Sequence, residues 1–278
     1  MLTDAAVIED REEWATARDV QQGFMTLGRV APGAVDYSAM CRQAHTLGGD
    51  SFDFLRLPDG RLLLTVGDAS GKGLAAALMI AHVQSSVRTA ALYAANDGAA
   101  MLRVVSRHVY DTSLVDRYAT FFYGVLDAAG RTMRYVNAGH VPPMVLRRDG
   151  SVDWLETGGA PLGIFPDWPY EEGVVRLHPG DRILAYTDGV TEAENPSGEM
   201  WGFESLLRVA SAHRARSADE TVHAVFQALD EFTRGHQADD ATVLVLGSRD
   251  HREARSRERR FSAPCTPTDS TWIHRALS

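Results

Sequence analysis

Short runs of apolar residues, separated by tight turns, recur through the middle of the chain. Four pairs of such runs each flank a short turn, and each pair predicts a β-hairpin, because strands joined by so few residues pair antiparallel. The predicted pairs are residues 50–57 with 61–67, 120–127 with 132–137, 143–148 with 152–155, and 174–177 with 182–186. Residues 241–246 form one more apolar run, which predicts a last strand.

Helical spacing of apolar residues occurs in two separate regions. One region predicts helices over residues 74–93 and 97–113, and the other predicts helices over residues 202–213 and 218–234. Hairpins together with two separated helix pairs are typical of an α+β fold in which helices pack against antiparallel sheet. The number of strands fits two sheets that form a β-sandwich between the helix pairs.

The chain divides into three zones. Residues 1–20 predict a short charged N-terminal helix whose apolar stripe is thin. Residues 21–248 contain the predicted strands and both helix pairs, so we expect one domain there. Residues 249–278 are rich in arginine and contain Pro264 and Pro267, and they predict a flexible, solvated tail.

Composition excludes several classes of protein. The 278 residues are 45% hydrophobic and 23% charged, which is enough apolar content for a buried core. The formal net charge of −9 argues against nucleic-acid binding, and no apolar run approaches the roughly 20 residues of a membrane-spanning helix. Cys41 and Cys265 are too few for a disulfide framework. We therefore expect a cytoplasmic protein that binds neither nucleic acid nor membrane.

Four aspartates mark the ends of predicted strands. Asp68 and Asp188 each follow an apolar run, whereas Asp50 and Asp239 each precede one. An aspartate beside glycine is usually turn chemistry when it is taken alone. Adjacent antiparallel strands, however, bring such ends to one rim of a sheet, so the four together predict a cluster of carboxylates.

A cluster of carboxylates favours a divalent cation. Ionised carboxylates a few ångströms apart raise the pKa of one another, and a cation removes that repulsion. Oxygen ligands without a His or Cys cluster suit Mg²⁺ or Mn²⁺ rather than zinc. Two such ions that share one carboxylate can activate a water molecule and clamp a phosphate. His140 could act as an acid–base group, but a strand-end loop favours a hydrogen-bonded structural histidine.

Two local motifs have competing interpretations, and we reject both. Residues 67–73 superficially resemble a phosphate-binding P-loop, but their glycine spacing is too short and Gly73 stands where that loop has Ser or Thr. Residues 48–52 match the five-residue signature of cyclic-dinucleotide synthases, with Ser51 in the acidic position. Without a supporting βαβ pattern, that single match is a coincidence.

Five motifs in order resemble a known family, the SpoIIE-type branch of the bacterial metal-dependent protein phosphatases (PPM, type 2C-like). The motifs are Gly-Gly-Asp-Ser-Phe-Asp (48–53), Gly-Asp-Ala-Ser-Gly-Lys-Gly (67–73), Asn-Ala-Gly-His-Val-Pro-Pro (137–143), Tyr-Thr-Asp-Gly-Val-Thr-Glu (186–192) and Asp-Asp-Ala-Thr (239–242). The resemblance extends over residues 21–247. It implies a four-layer αββα fold, in which an antiparallel β-sandwich is flanked by helix pairs, and a site for two Mn²⁺ or Mg²⁺ ions at one sandwich edge.

The resemblance also implies a role for each matching residue. Asp68 would bridge both metals, and the backbone carbonyl of Ala69 would complete one coordination sphere. Asp188 and Asp239 would hold one metal together with Asp68, whereas Asp50 would serve the other directly or through water. Asp68, Asp188 and Asp239 are accordingly the predicted catalytic residues.

Other motif positions are predicted to support the site. Asp53 and Asp240 would orient the ligand residues or have structural roles, and Lys72 belongs to the segment that resembles the family's switch. Direct contact of Lys72 with the phosphate is the second interpretation. Ser70 departs from the eukaryotic type 2C pattern, which has a histidine there that is implicated as a general acid.

The function that the resemblance implies is hydrolysis of phosphoserine or phosphothreonine on a protein, typically an anti-anti-sigma factor. A homodimer through the N-terminal or switch helices is a further expectation. Two other functions stay open from the residues alone. One is a catalytically silent binding module that keeps the fold, and the other is a metal-dependent hydrolase of small phosphoesters.

Overall fold

The computed structural model of the chain describes residues 4–25, 35–113 and 116–248. The helices along these residues are α1 (Asp4–Phe24), α2 (Gly73–Ala94), α3 (Gly98–Thr112), α4 (Asp188–Thr191), α5 (Gly202–Ala212) and α6 (Ala218–Thr233). The strands are β1 (Val35–Arg42), β2 (Asp50–Arg56), β3 (Leu62–Ala69), β4 (Ala119–Leu126), β5 (Thr132–Ala138), β6 (Met144–Leu146), β7 (Val152–Trp154), β8 (Gly158–Gly159), β9 (Gly173–Arg176), β10 (Arg182–Tyr186) and β11 (Ala241–Ser248).

The strands form two sheets. The five-stranded sheet has the order β1-β11-β10-β6-β7, and the six-stranded sheet has the order β2-β3-β4-β5-β8 with β9 also paired to β5. The pairs are antiparallel apart from β5 with β8. The predicted hairpins β2–β3, β4–β5 and β6–β7 are confirmed.

Three apolar layers hold the sheets and helices together. Consecutive residues of β4 show the arrangement: Phe121 packs toward α2 and α3, whereas Phe122 packs between the two sheets. In β10, Ile183 lies between the sheets and Leu184 packs toward α5 and α6. Successive side chains of a strand point to opposite faces, so strands covered on both faces have continuous apolar sequences. The predicted four-layer α+β sandwich is confirmed.

The helices begin where their sequences provide caps. The Asp97 carboxylate accepts a hydrogen bond from the Ala100 backbone N–H at the start of α3. Ser217 and Glu220 form a reciprocal capping box at the start of α6. Such caps satisfy N–H groups that have no partner inside the helix. The four predicted helices of the domain are therefore confirmed, within one or two residues at each end.

The fourth predicted hairpin is wrong. β9 pairs with β5 in the six-stranded sheet, whereas β10 pairs with β6 and β11 in the other sheet. The Asp181 carboxylate in the connection accepts hydrogen bonds from the backbone N–H groups of His178 and Arg148. The turn therefore carries the chain from one sheet to the other. The sequence analysis also missed β1, although its apolar residues alternate from Val35 to Cys41.

The N-terminal helix is present as α1, which exceeds the predicted range by a few residues. The arginine-rich tail, residues 249–278, lies outside the described residues. Among the residues that the structure describes, no helix is both long and apolar enough to cross a membrane.

An ion pair between Asp53 of β2 and Arg88 of α2 fastens the six-stranded sheet to its helix layer. The Asp53 side chain is almost fully buried. We expect Arg88→Met to lower the free energy of unfolding by about 2 kcal/mol, because it removes a cationic partner from a buried carboxylate. Urea denaturation measures the loss.

Arg103→Met is the matched control for that prediction. Arg103 pairs with Asp167, and both side chains are more than half exposed. The control should therefore cost less than about 1 kcal/mol. Equal losses for the two variants would contradict a structural role of the Asp53–Arg88 pair.

Candidate metal centre

Four aspartates converge at one end of the sandwich because of strand register. Asp50 and Asp68 are directly opposite each other in the β2–β3 ladder. Asp188 follows β10 by two residues, and Asp239 precedes β11 by two residues. Since β10 and β11 are antiparallel neighbours, those two positions lie at the same end of their sheet. The end of one sheet thus faces the end of the other.

Asp50 joins the two sheets at this end. Its Oδ2 accepts a hydrogen bond from the hydroxyl of Thr187 and another from the hydroxyl of Thr242, both at 2.7 Å. Both threonines belong to the five-stranded sheet or its continuation, whereas Asp50 opens β2. Burial raises the pKa of Asp50 well above its ordinary value, with the nearby Asp68 carboxylate as the next cause.

Asp68 has the most perturbed environment of the aspartates that have no partner. Burial, followed by the charges of Asp188, Asp239 and Asp240, raises the pKa of Asp68 to about 7. Within the described ranges, no hydrogen-bond donor or cation contacts the Asp68 or Asp188 carboxylate. These carboxylates therefore carry negative charge that the protein's own groups leave uncompensated, and a cluster of hard oxygen donors of this kind fits Mg²⁺ or Mn²⁺.

Asp239 is engaged with other protein groups. Its Oδ2 accepts from Lys72 Nζ at 2.9 Å, and its Oδ1 accepts from the Asp240 backbone N–H at 2.9 Å. The hydrogen bond to Asp239 raises the pKa of Lys72. In the part of the chain that the structure describes, no three His, Cys, Asp or Glu side chains are arranged as a metal site. Both oxygens of the Asp239 carboxylate already have donors within the protein.

Asp240 fixes the turn that precedes Asp50. Its two carboxylate oxygens accept from the backbone N–H groups of Ala44 and Gly49, each at 2.7 Å. A Cβ atom at Gly48 would lie 2.3 Å from Asp240 Oδ2, so a side chain there would displace the Asp240 carboxylate. Asp240 thus positions the backbone beside the candidate ligands and offers no free oxygen of its own.

Gln21 connects α1 to the same turn. Its Nε2 donates to the Gly48 carbonyl at 2.7 Å, and its Oε1 accepts from the Gly48 N–H at 3.2 Å. The Gln43 side chain also donates to Gln21 Oε1. A buried glutamine with these partners ties the N-terminal helix to the backbone two residues from Asp50.

The remaining predicted site residues lie in different places. Ala69 ends β3, and its N–H donates to the Gly49 carbonyl, so its backbone lies beside the cluster. Asp53 faces α2 rather than the cluster, because it lies three positions after Asp50 along β2 and an odd offset places two side chains on opposite faces of a strand. Ser70 Oγ accepts from the Tyr118 backbone N–H, and its carbonyl accepts from Arg117.

His140 has the structural role that the sequence favoured. The residue is buried, and its Nδ1 lies 2.9 Å from the hydroxyl of Thr120. Its backbone N–H donates to Asn137, whose amide donates back to the His140 carbonyl. Burial lowers the pKa of His140 to about 4, so the ring is neutral near pH 7.

Three residues that hold the centre in place were not predicted from the sequence. Thr187 and Thr242 lie inside two of the five motifs, but their hydroxyls had been given no role. Gln21 lies at the boundary of the N-terminal helix. A polar residue on the buried side of an amphipathic pattern is the feature that could have indicated its role. Each acts on a partner that is distant in sequence, which local patterns do not reveal.

The sequence model of the family described as Stage II sporulation protein E (SpoIIE) matches residues 58–249, more than half of the chain and most of the sandwich. The chain belongs to the SpoIIE family. This membership confirms the resemblance found in the five motifs, and solved structures of PPM phosphatase domains share the fold.

Two curated proteins are similar to this SpoIIE-family chain over most of its length. Protein IcfG of Synechocystis sp. is 26% identical over 264 residues, covering 85% of this chain and 42% of IcfG. Phosphoserine phosphatase RsbU of Bacillus subtilis is 28% identical over 242 residues, covering 86% of this chain and 70% of RsbU. The chain thus spans less than half the length of IcfG.

Two solved structures share the SpoIIE-family fold seen here. The SiaA-PP2C domain of Pseudomonas aeruginosa has a TM-score of 0.73 at 21% identity, covering 90% of this chain and 100% of that domain. The catalytic domain of the serine/threonine protein phosphatase PstP, in complex with two manganese ions, has a TM-score of 0.56 at 18% identity. That likeness covers 78% of this chain and 99% of the PstP chain.

The raised pKa of Asp68 predicts a dependence of stability on pH in the presence of EDTA. A carboxyl group whose pKa is higher in the folded than in the unfolded protein favours folding while it is protonated. Its contribution is complete below about pH 4 and is lost as the pH rises to about 7. We expect Asp68→Asn to remove this loss, on the order of 2–4 kcal/mol at pH 8.

Urea denaturation of both proteins in EDTA, at pH 5 and at pH 8, checks this prediction. Asp68→Asn should be more stable than the wild type at pH 8, whereas the two should differ much less at pH 5. A variant that is less stable than the wild type at pH 8 would show that the Asp68 charge is not repelled in the folded protein.

Proposed function

We propose that the chain is a divalent-metal-dependent protein phosphatase that hydrolyses phosphoserine or phosphothreonine. The observation that carries the proposal is the burial of Asp68 near the charges of Asp188, Asp239 and Asp240, which together raise the pKa of Asp68 to about 7. A pKa raised by neighbouring carboxylates is typical of functional sites, and a bound cation would remove the repulsion among them. Family membership and the likeness to phosphatase domains support the same conclusion.

The residues at the sandwich end would have different roles in holding the metal ions. Asp68, Asp188 and Asp239 would hold Mn²⁺ or Mg²⁺ with the Ala69 carbonyl, and Asp50 would complete the set directly or through water. Bound divalent ions supply a strongly polarised water and neutralise phosphate charge. Asp50 would contribute mainly by orientation, since one of its oxygens is held by two threonine hydroxyls. The structure of PstP with two manganese ions supports two ions.

The surroundings of the cluster suit a phosphate carried on a protein. Lys72 and Asp239 are both more than half exposed, so the rim of the site is open to a macromolecule. A cavity of about 230 Å³ adjoins the rim, and Glu192, Glu194 and His236 contribute to its lining. We propose a phosphorylated anti-anti-sigma factor as the substrate, as the family resemblance implies, and therefore a cytoplasmic location.

A homodimer through the N-terminal or switch helices is part of the proposal. Large apolar side chains are exposed along α1 and α2; they are Trp14, Val20, Phe24, Leu74 and Leu78. These side chains lie on the two helices for which the sequence analysis expected a dimer contact. Burying them against a second copy would remove apolar surface from water.

The phosphatase proposal predicts loss of activity on removal of either partner-free carboxylate. We expect Asp68→Asn and Asp188→Asn each to lower kcat/KM at least about 100-fold with Mn²⁺, because metal coordination contributes several kcal/mol. Phosphate release from an aryl phosphate and from a phosphoserine protein measures the effect. Asp167→Asn, which removes an exposed carboxylate elsewhere, is the control and should leave activity unchanged.

The same assay separates the alternatives. Equal rates for the wild type and both site variants would favour a catalytically silent binding module. Turnover of free nucleotides but not of the phosphoserine protein would favour a hydrolase of small phosphoesters. Either result would contradict the proposed function.

The dimer predicts a change of mass on substitution of Leu78. Leu78 is 64% exposed on α2, and Val104 is 70% exposed on α3. We expect Leu78→Glu to shift the protein from dimer to monomer in light scattering, because a charge would have to be buried in the contact. Val104→Glu is the control and should remain dimeric. A wild type that stays monomeric at every protein concentration measured would contradict the dimer.

A further inference from the structure

Lys72 connects two distant parts of the chain at the candidate metal centre. Its Nζ donates to Asp239 Oδ2 at 2.9 Å and to the Ala238 carbonyl at 3.3 Å. Lys72 lies between β3 and α2, whereas Ala238 and Asp239 lie between α6 and β11. It is also the only lysine in the sequence. This one ammonium group therefore links the segment between β3 and α2 to the segment between α6 and β11.

We propose that Lys72 is a positioning residue that competes with a metal ion for Asp239. While the ammonium holds Oδ2, that oxygen is not available to a metal ion, which binds fully only when the pair opens. This inference rests on the proposed function, because it requires that Asp239 is a metal ligand.

The contacts of Asp239 support competition rather than sharing. Oδ1 accepts from the Asp240 backbone N–H, so both oxygens of the carboxylate have protein donors. Asp68 and Asp188 have no described donor, which makes Asp239 the member of the trio that a cation of the protein holds. A carboxylate oxygen that faces an ammonium group binds a divalent ion less well, because the two cations repel each other.

The local backbone aims Lys72 at Asp239. Gly71 and Gly73 have φ angles of +93° and +69°, which side-chain-bearing residues rarely adopt. Lys72 between them is extended, and its side chain does not cap α2. The Gly-Lys-Gly sequence therefore bends the chain twice around one extended residue, which projects across to the other loop.

The pair is weak enough to be exchanged. The two side chains are 56% and 53% exposed, and ion pairs exposed to that degree change an equilibrium only a few-fold. The adjoining cavity is lined by both residues and by Glu192 and Glu194. A released Lys72 ammonium would therefore have space and acidic neighbours close to its present position.

Calorimetric titration of the full chain with Mn²⁺ tests the competition. We expect Lys72→Met to bind Mn²⁺ about two- to five-fold more tightly than the wild type, since the competing ammonium is absent. Lys72→Arg keeps a cation beside Asp239 and should bind within two-fold of the wild type. Arg42→Met is the matched control, because Arg42 lines the same cavity but pairs with Asp230.

The control separates competition from general charge. Equal tightening by Arg42→Met and Lys72→Met, with both variants folded by thermal melting, would mean that any nearby positive charge matters and would overturn the inference. Unchanged affinity of Lys72→Met would overturn it as well. Failure of the wild type to bind Mn²⁺ would instead overturn the proposed function, and this inference with it.

Lysine labelled with ¹³C at Cε provides a readout that does not depend on activity. The protein should give a single labelled lysine signal, because Lys72 is the only lysine. Saturation with Mg²⁺ should move that signal toward the position of free lysine, and Asp239→Asn should produce the same position without metal. A signal that stays unchanged while calorimetry shows Mg²⁺ binding would overturn the competition and leave the phosphatase proposal standing.

Discussion

Repulsion among carboxylates at one end of the β-sandwich is the constraint on which the arrangement of this protein depends. Strand register places Asp50 opposite Asp68, and the neighbouring sheet brings Asp188 and Asp239 to the same end. Such a cluster is unfavourable by itself, as the raised pKa of Asp68 shows. Three apolar layers, whose side chains are almost completely buried, supply the stability that keeps the strand ends together.

The protein compensates the acidic charges in three different ways. Threonine hydroxyls hold Asp50, backbone N–H groups hold Asp240, and the Lys72 ammonium holds Asp239. Asp68 and Asp188 receive none of these partners among the described residues. The compensated aspartates thus shape the backbone and orient the centre, whereas the uncompensated ones provide its capacity to attract cations.

Most of the fold could be predicted because the information is local. The turns between β2 and β3, β4 and β5, and β6 and β7 join adjacent runs, and the helices follow their own periodicity. The turn before β10 looked the same in sequence, but the hydrogen bonds of Asp181 carry the chain into the other sheet. That outcome depends on Arg148, which is distant in sequence from the turn, so the local pattern could not distinguish it from a hairpin.

The candidate site could be predicted only in part, for the same reason. The motifs identified the acidic residues. They did not reveal that Lys72 pairs with Asp239, or that Gln21 holds the turn before Asp50. These contacts join segments that are far apart in the chain, and the angles that bring them together are set by the packing of the sheets.

The hydrogen bonds of Asp50 have a consequence for how the two sheets can move. The layer between the sheets is mainly apolar, and apolar contacts are non-directional and allow small displacements. Hydrogen bonds from Thr187 and Thr242 to one oxygen are directional, and they fix the alignment of the layers at that point. The sandwich is therefore fastened by polar contacts at both ends, because the Ser248 hydroxyl of β11 donates to the Gly130 carbonyl and the Arg147 guanidinium donates to the Arg176 carbonyl of β9.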